Sequence, residues 1–398
     1  MRFPYPERIS YSWATLAAAI LFLVQILQGT SPLWAMFCFC FIVLAVTGVN
    51  LGGGLYRATG AFIFFSATLM LVIGVLGKAV LGEAADSNLQ APMHLIEAYT
   101  LGMAAMCFAA FIEHAVRPKD SLLTLWFPVT SLRNLFVGVI TAGIVLDSVW
   151  VVGVSYSPGS ILSALRYASD LISFGVVLGV MYCVRSSNGR RSLNAFLIVV
   201  IVLMTVQGLL QSTKQGLFLG PFCWMLGAGA SRFRLRPVHL ITFAATLFVL
   251  LYYCVPIVQS NKSTGLGSTY AESFSRLANE FLNIKELRKE AAGVGEYDYG
   301  PVNYYNQSEG FLDRLQMIGI DDLLIAETDR DGYFGYLPTI EGFQNLIPHF
   351  IWRNKPTPYF GNGYAHELSL LDDNDYSTGV SFSPTADAYK QGGFVGIG

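Results

Sequence analysis

The sequence predicts an all-α polytopic membrane protein with nine transmembrane helices, the start of a tenth, and a large, mainly helical extracytoplasmic loop. Three observations predict it. First, 53% of the 398 residues are hydrophobic and 13% charged, with a mean hydropathy of +0.49, whereas soluble domains carry about 25% charged residues. Second, nine apolar runs approach the ~20 residues a helix needs to cross a bilayer. Third, Lys and Arg fall in alternate connections between those runs, as the positive-inside rule requires.

The N-terminal residues Met1 to Arg8 carry two arginines and lead into an apolar run without a small-residue cleavage site. That run reads as a first span, not a removed signal peptide. The nine runs are 11–29, 32–53, 60–82, 94–115, 134–155, 160–184, 192–211, 215–231 and 238–259. Arg2 and Arg8 precede the first. Arg57, then Arg117, Lys119 and Arg133, then Arg185, Arg190 and Arg191, then Arg232, Arg234 and Arg236 occupy every second connection. The other connections are poor in positive charge, Lys214 excepted. The N-terminus is therefore expected in the cytoplasm and residue 260 outside. This divides the chain into a transmembrane bundle (1–259), an extracytoplasmic loop domain with amphipathic helices (260–390) and the start of a further span (391–398).

Charge follows the same division. Residues 1–259 hold 15 Lys/Arg and 8 Asp/Glu; residues 260–398 hold 10 and 19. The acidic segment is expected to face water, and a basic surface for nucleic acid is absent from the pattern. The six cysteines all lie in apolar runs, without metal-ligand or disulfide spacing, and read as small packing residues.

Within the loop, Ala271 to Ala292 places Phe274, Leu277, Phe281, Ile284 and Leu287 at helical spacing, which predicts an amphipathic helix on the membrane or the bundle. Glu309 to Ile325 and Ile340 to Ile351 predict two more helices. Lys355 to Pro358 ends the last of these. Phe360 to Thr385, rich in Gly, Asp and Ser, reads as a loop around a site. Gly392 to Gly398 opens an apolar run that stops, so the intact chain is expected to continue into further spans.

Charges inside spans are functional candidates by default. Lys78, Glu97, Asp147, Arg166, Asp170 and Lys214 all sit toward the outer ends of their runs. Lys78 and Glu97 each read as a side chain snorkelling to the outer interface and held in a structural ion pair. Arg166 and Asp170, i and i+4, could pair on one face or serve a ligand. Lys214, in the QSTKQG turn, suits a phosphate. In the loop, His349, Arg353 and Lys355 lie beside Trp352, a combination suited to a diphosphate next to a sugar face; a basic helix end touching lipid headgroups is the plainer reading. Glu309, Asp313, Asp321, Asp322, Asp329, Asp331 and Glu341 are candidate bases among which spacing does not choose. His366 reads as solvated. Walker, GxSxG and HExxH motifs are absent from the sequence, and Asp372, Asp373 and Asp375 lack the Gly and distal Glu of a calcium loop.

Gly332 to Pro356, GYFGYLPTIEGFQNLIPHFIWRNKP, resembles the outer-loop signature of Wzy-type polymerases of O-antigen and other oligosaccharide repeat units, where a Gly-Tyr-rich lead-in runs into an IPR-x-IW-x-x-KP element. STKQG resembles that family's SKG/SRG turn, and Ala388 to Gly396 its YxxxGxxG approach to the span after the loop. The likeness covers the chain from about residue 190. His349 stands where the family has arginine. The resemblance implies a GT-C-type glycosyltransferase in a bacterial cytoplasmic (inner) membrane, its large loop periplasmic. It would join undecaprenyl-diphosphate-linked repeat units into O-antigen, capsule or exopolysaccharide, with no cofactor and no metal. Arg353, Lys355, Lys214 and Arg166 would bind diphosphate, His349 and Arg353 would be catalytic, and Trp352 would stack on sugar. Partners would be the lipid-linked oligosaccharides, the bilayer, a chain-length regulator and a repeat-unit flippase. An O-antigen ligase-type transferase, or a transporter of lipid-linked oligosaccharide, is the alternative.

Overall fold

A computed structural model describes residues 7–117, 128–153, 170–210, 214–234, 236–254, 257–258, 270–286, 316–347, 351–352, 360–371 and 380–398. Among them the chain is helical, without a β-strand. The helices are α1 (Tyr11–Leu27), α2 (Pro32–Leu51), α3 (Ala58–Leu81, with a π-helical turn at Thr68–Val72), α4 (Pro92–Val116), α5 (Val129–Gly153), α6 (Asp170–Ser186), α7 (Ala195–Leu210), α8 (Lys214–Ala230), α9 (Pro237–Val249), α10 (Tyr270–Leu282), α11 (Ile318–Asp331), α12 (Leu337–Asn345), α13 (Phe360–Glu367) and α14 (Pro384–Ile397). Four segments are long and apolar enough to cross a membrane: Pro32–Leu51, Ala58–Leu81, Pro92–Val116 and Val129–Ser148. The apolar helices at Tyr11–Leu27, Ala195–Leu210, Gly216–Ala230 and Pro237–Val249 are shorter. Apolar side chains face outward along these helices, Leu27 at 87%, Val80 at 86% and Val116 at 73% exposure. Such surfaces suit lipid and not water.

The chain divides into two compact units, Met1–Tyr5 with Ser121–Glu296, and Pro6–Asp120 with Tyr297–Gly398. In the unit built from Pro6–Asp120 and Tyr297–Gly398, α2 packs along α4, with α1 and α3 at its sides. Trp34, Phe41, Met70, Val75, Tyr99 and Met103 form its core, which Ile318, Ile325 and Tyr389 extend. Polar groups close one end. Trp34 Nε1 donates to Pro92 O at 3.0 Å, and Ala85 N to Thr30 Oγ1 at 2.8 Å. Lys78 is buried, donates to Ser87 Oγ at 2.6 Å and pairs with Glu83 at 3.1 Å. The structural ion pair expected of that lysine is thus made with Glu83, while its burial departs from the snorkelling to the interface also expected of it.

The π-turn in α3 explains how the C-terminal part of this unit attaches. Its i→i+5 bond, Ile73 N to Thr68 O, shifts the ladder by one residue. Leu69 O, halfway along α3, then accepts Met317 N at 2.9 Å. Immediately after it α11 begins, with Gln316 Oε1 accepting Gly319 N. Gly332, at φ 95°, ends α11 in a conformation that favours glycine.

The loop helices differ from expectation in their limits. The helix expected over 309–325 is Ile318–Asp331, with 309–315 outside the described residues. The one expected over 340–351 is Leu337–Asn345, because Pro338 supplies a first turn and Leu346 caps it. The loop expected over 360–385 contains α13. Gly361 and Gly363 conceal it by their low propensity, while burial of Tyr364 and Ala365 stabilises it.

In the other unit, α5, α6, α7 and α8 pack around Phe136, Ile140, Val176, Val180, Leu197 and Phe233. Gln207 Nε2 donates to Asp147 Oδ2 at 2.9 Å, which gives that intramembrane carboxylate a partner. Helix α10 corresponds to the amphipathic helix expected over 271–292. Leu277 is buried on a cluster with Leu209, Leu217, Leu250 and Ile257, and Ile284 packs against it. Its apolar face thus covers the helix bundle of its own unit.

Candidate functional site

Helix α14 organises the site. Ser383 caps its N-terminus by accepting Ala386 N at 3.1 Å, with Pro384 at the first helical position. Three carboxylates of α11 fix it against α4. Asp321, fully buried, accepts Tyr99 Oη at 2.5 Å and Ser383 N at 3.0 Å. Asp322 accepts Gln90 N at 2.6 Å and Ala91 N at 2.9 Å, at the donor-rich start of α4. Asp329 accepts Tyr389 Oη at 2.7 Å and faces His94 Nδ1 at 2.6 Å. Burial pushes Asp321 up to about 6, against the pull of its donors Ser383 and Tyr99. Burial raises Asp322 as well. A close helix approach completes the seat: a Cβ on Gly102 of α4 would lie 2.4 Å from Thr385 Oγ1.

The second half of α14 is separated from the first by a break. Gly393 adopts φ 61°, ψ −145°, a region open to glycine alone. The break releases carbonyls that a continuous helix would use, and the Gly-Tyr segment takes them. Phe334 N donates to Lys390 O at 2.7 Å and Gly335 N to Gln391 O at 3.1 Å. The Tyr336 and Tyr333 hydroxyls lie against Gly392 and Gly393, where added Cβ atoms would approach to 2.6 and 2.7 Å. The Gly-Tyr lead-in and the Tyr389–Gly396 tail, far apart in sequence, therefore meet.

Beside this junction is a cavity of about 450 Å³, lined by residues that include Pro338, Thr339, Tyr364, Phe382, Asp387 and Gln391. Asp387 and Gln391 are i and i+4 on α14, so both face it. Tyr364 Oη donates to Asp387 Oδ1 at 3.1 Å and Gln391 Nε2 to Oδ2 at 3.1 Å. Thr339 Oγ1 donates to Gln391 Oε1 at 2.6 Å, which fixes the amide's orientation. Each carboxylate oxygen so keeps capacity for a further donor. Burial raises Asp387, opposed by the bonds from Tyr364 and Gln391. The Tyr364 hydroxyl is held protonated far above its ordinary range by burial first and by Asp387 second. Phe382 and Phe334 stand edge-on to Tyr364, each at 5.8 Å. Lys390, buried on the same helix, pairs with Glu367 at 2.9 Å. Chemically, the arrangement is an oriented carboxylate in an aromatic-walled cavity, suited to accept a proton or hydrogen bond from a ligand hydroxyl.

Of the residues expected at the site from sequence, His349, Arg353, Lys355 and Arg166 lie outside the described residues. Lys214 is the first residue of α8, and its side chain is likewise outside them. Trp352 is exposed and not helical. The described helix before it ends at Asn345, and the i,i+4 pair of His349 and Arg353 lies outside the described residues. Asp170 opens α6 and is exposed. Among the candidate bases, Asp321, Asp322 and Asp329 serve docking, and Asp331 pairs with Arg330 at 3.0 Å; Glu309 and Asp313 lie outside the described residues. Among the described residues no His, Cys, Asp and Glu group suits a metal ion.

Sequence reasoning missed Asp387, Tyr364 and Gln391. One signal was available: Ser383-Pro384 starts a helix, which puts Asp387 and Gln391 on one face. Reading 360–385 as a loop hid it. No family model, curated protein or solved structure matches the chain.

Proposed function

We propose that the protein polymerises lipid-diphosphate-linked oligosaccharide repeat units, by glycosyl transfer on the outer face of a bacterial cytoplasmic membrane, where nine spans would place the loop. The observation that carries this reading is the meeting of the Gly-Tyr lead-in with the broken α14 beside the Asp387 cavity. Two segments singled out by sequence likeness form one structural junction, and a proton-accepting carboxylate lies next to it.

In this mechanism the terminal hydroxyl of the acceptor sugar occupies the cavity. It gives its proton to Asp387 as its oxygen bonds to the anomeric carbon of the donor chain. The anomeric carbon–oxygen bond to the lipid diphosphate breaks, and the diphosphate leaves with the electron pair. Arg353, Lys355, Lys214 and Arg166 are the cations assigned to that leaving charge, with Trp352 stacking on sugar and His349 as a second proton-transfer group. Energy comes from the diphosphate linkage. The test is Asp387→Asn, introduced into the full-length protein. Surface polysaccharide is expected to collapse from a ladder to single repeat units. An unchanged ladder overturns the assignment.

One observation favours a second reading. A discontinuous helix such as α14 is a device of transporters of charged substrates. Loss of a transporter of lipid-linked units removes surface repeat units altogether, whereas loss of a polymerase leaves single ones. The same variant therefore separates the two readings.

A further inference from the structure

The charge pattern of the Asp387 cavity carries an inference about its ligand, which rests on the polymerase reading and deepens it. Asp387 is the one charged group among the described lining residues. The nearest described cation on α14, Lys390, is already neutralised by Glu367. The lining is otherwise hydroxyl, amide and apolar: Thr339, Gln391, Pro338, Pro384 and the rings of Tyr364 and Phe382. Both donors aimed at Asp387, Tyr364 Oη and Gln391 Nε2, sit at its two oxygens and oppose the burial that raises it. What such a wall lacks, among its described residues, is a cation to neutralise a second carboxylate. What it offers is an acceptor for hydroxyl or amine protons and an apolar face for sugar C–H groups. The volume falls in the range of small-molecule sites.

We propose that this cavity binds the terminal sugar of the acceptor and selects neutral or amino sugars over uronates, with Asp387 as the selecting group. An acidic sugar placed there sets two carboxylates together with no cation among the described lining residues, and like charges brought together in a partly buried site are rejected strongly. A neutral sugar donates its hydroxyls to Asp387 and stacks on Tyr364 or Phe382. Gln391, held by Thr339, fixes the carboxylate's orientation and acts as a positioning residue.

The test uses the purified full chain in lipid nanodiscs and free saccharides, so that neither a lipid diphosphate nor glycosyl transfer is needed. Saturation-transfer NMR and calorimetry are run with cellobiose, lactose, mannobiose, diacetylchitobiose and chitosan disaccharide, and with digalacturonate and diglucuronate. At least one neutral or amino disaccharide is expected to bind about tenfold or more tightly than either diuronate. Asp387→Asn should remove most of that difference, chiefly by improving diuronate binding. Thr339→Trp, which fills the cavity, should abolish binding; Gln391→Ala, a smaller change, should weaken it. The proposal is overturned if no saccharide binds, if diuronates bind as well as neutral sugars, or if Thr339→Trp and Gln391→Ala both leave binding intact. Saccharide binding with a normal polysaccharide ladder in Asp387→Asn would remove the polymerase reading and leave the sugar site standing. A collapsed ladder without saccharide binding would do the reverse.

Discussion

Asp321 shows how one residue ties the C-terminal segment down. Its carboxyl is buried, and its ionisation is pushed up to about 6, from 3.8. A carboxyl whose folded value is raised contributes stability that is complete below its ordinary range and is lost as pH rises through the folded value. Asp322 and Asp387 are raised in the same direction. Docking of α11 and α14 on α4 is therefore expected to weaken between pH 4 and 7, by roughly 2 kcal/mol for Asp321 alone. Amide hydrogen exchange of α11 and α14 at pH 5 and pH 7.5, corrected for intrinsic rates, checks this. Asp321→Asn should flatten the dependence; equal protection at both pH values in the wild type would contradict it. Lys78 was legible in part: an ion pair was expected and is made with Glu83, but the side chain is buried and does not reach an interface. Asp387 was the hardest, because its partners Thr339 and Tyr364 come from other helices.

At the scale of elements, the break in α14 and the π-turn in α3 do related things. Each frees backbone carbonyls inside a helix, and each carbonyl is taken by the C-terminal segment: Leu69 O by Met317, Lys390 O and Gln391 O by Phe334 and Gly335. Buried backbone groups need such partners. Gly393→Ala is expected to cost about 1–3 kcal/mol, because its conformation excludes a side chain and Tyr333 Oη would lie 2.7 Å from the new Cβ. The readout is thermal unfolding together with exchange at the Phe334 and Gly335 amides, which should lose protection. Retained protection at both amides would show that the break does not depend on glycine. The apolar helices were legible because length and hydrophobicity are local properties. Helix α13 was not, because its stabilisation is tertiary: Tyr364 packs with Leu324 and Ala386, and a Cβ on Gly361 would meet Val380 O at 2.1 Å.

At the scale of the whole molecule, the outward-facing apolar side chains and the four long apolar helices make this a membrane protein by composition and length. The full-length protein is expected to remain with the membrane fraction under alkaline carbonate and to need detergent for extraction; release by carbonate would contradict this. Sequence also indicated the junction's two halves, the Gly-Tyr lead-in and the Tyr389–Gly396 tail, but not that α14 joins them or that a cavity opens at its side. The central claim is that the Asp387 cavity serves glycosyl transfer from a lipid diphosphate. Its most direct measurement is single-turnover assay of the reconstituted full-length protein with undecaprenyl-diphosphate-linked repeat units. Wild type should lengthen the chain and release undecaprenyl diphosphate, while Asp387→Asn should slow both by about 10²–10⁴-fold. Equal rates in the two proteins, or no chain growth in either, would contradict the account.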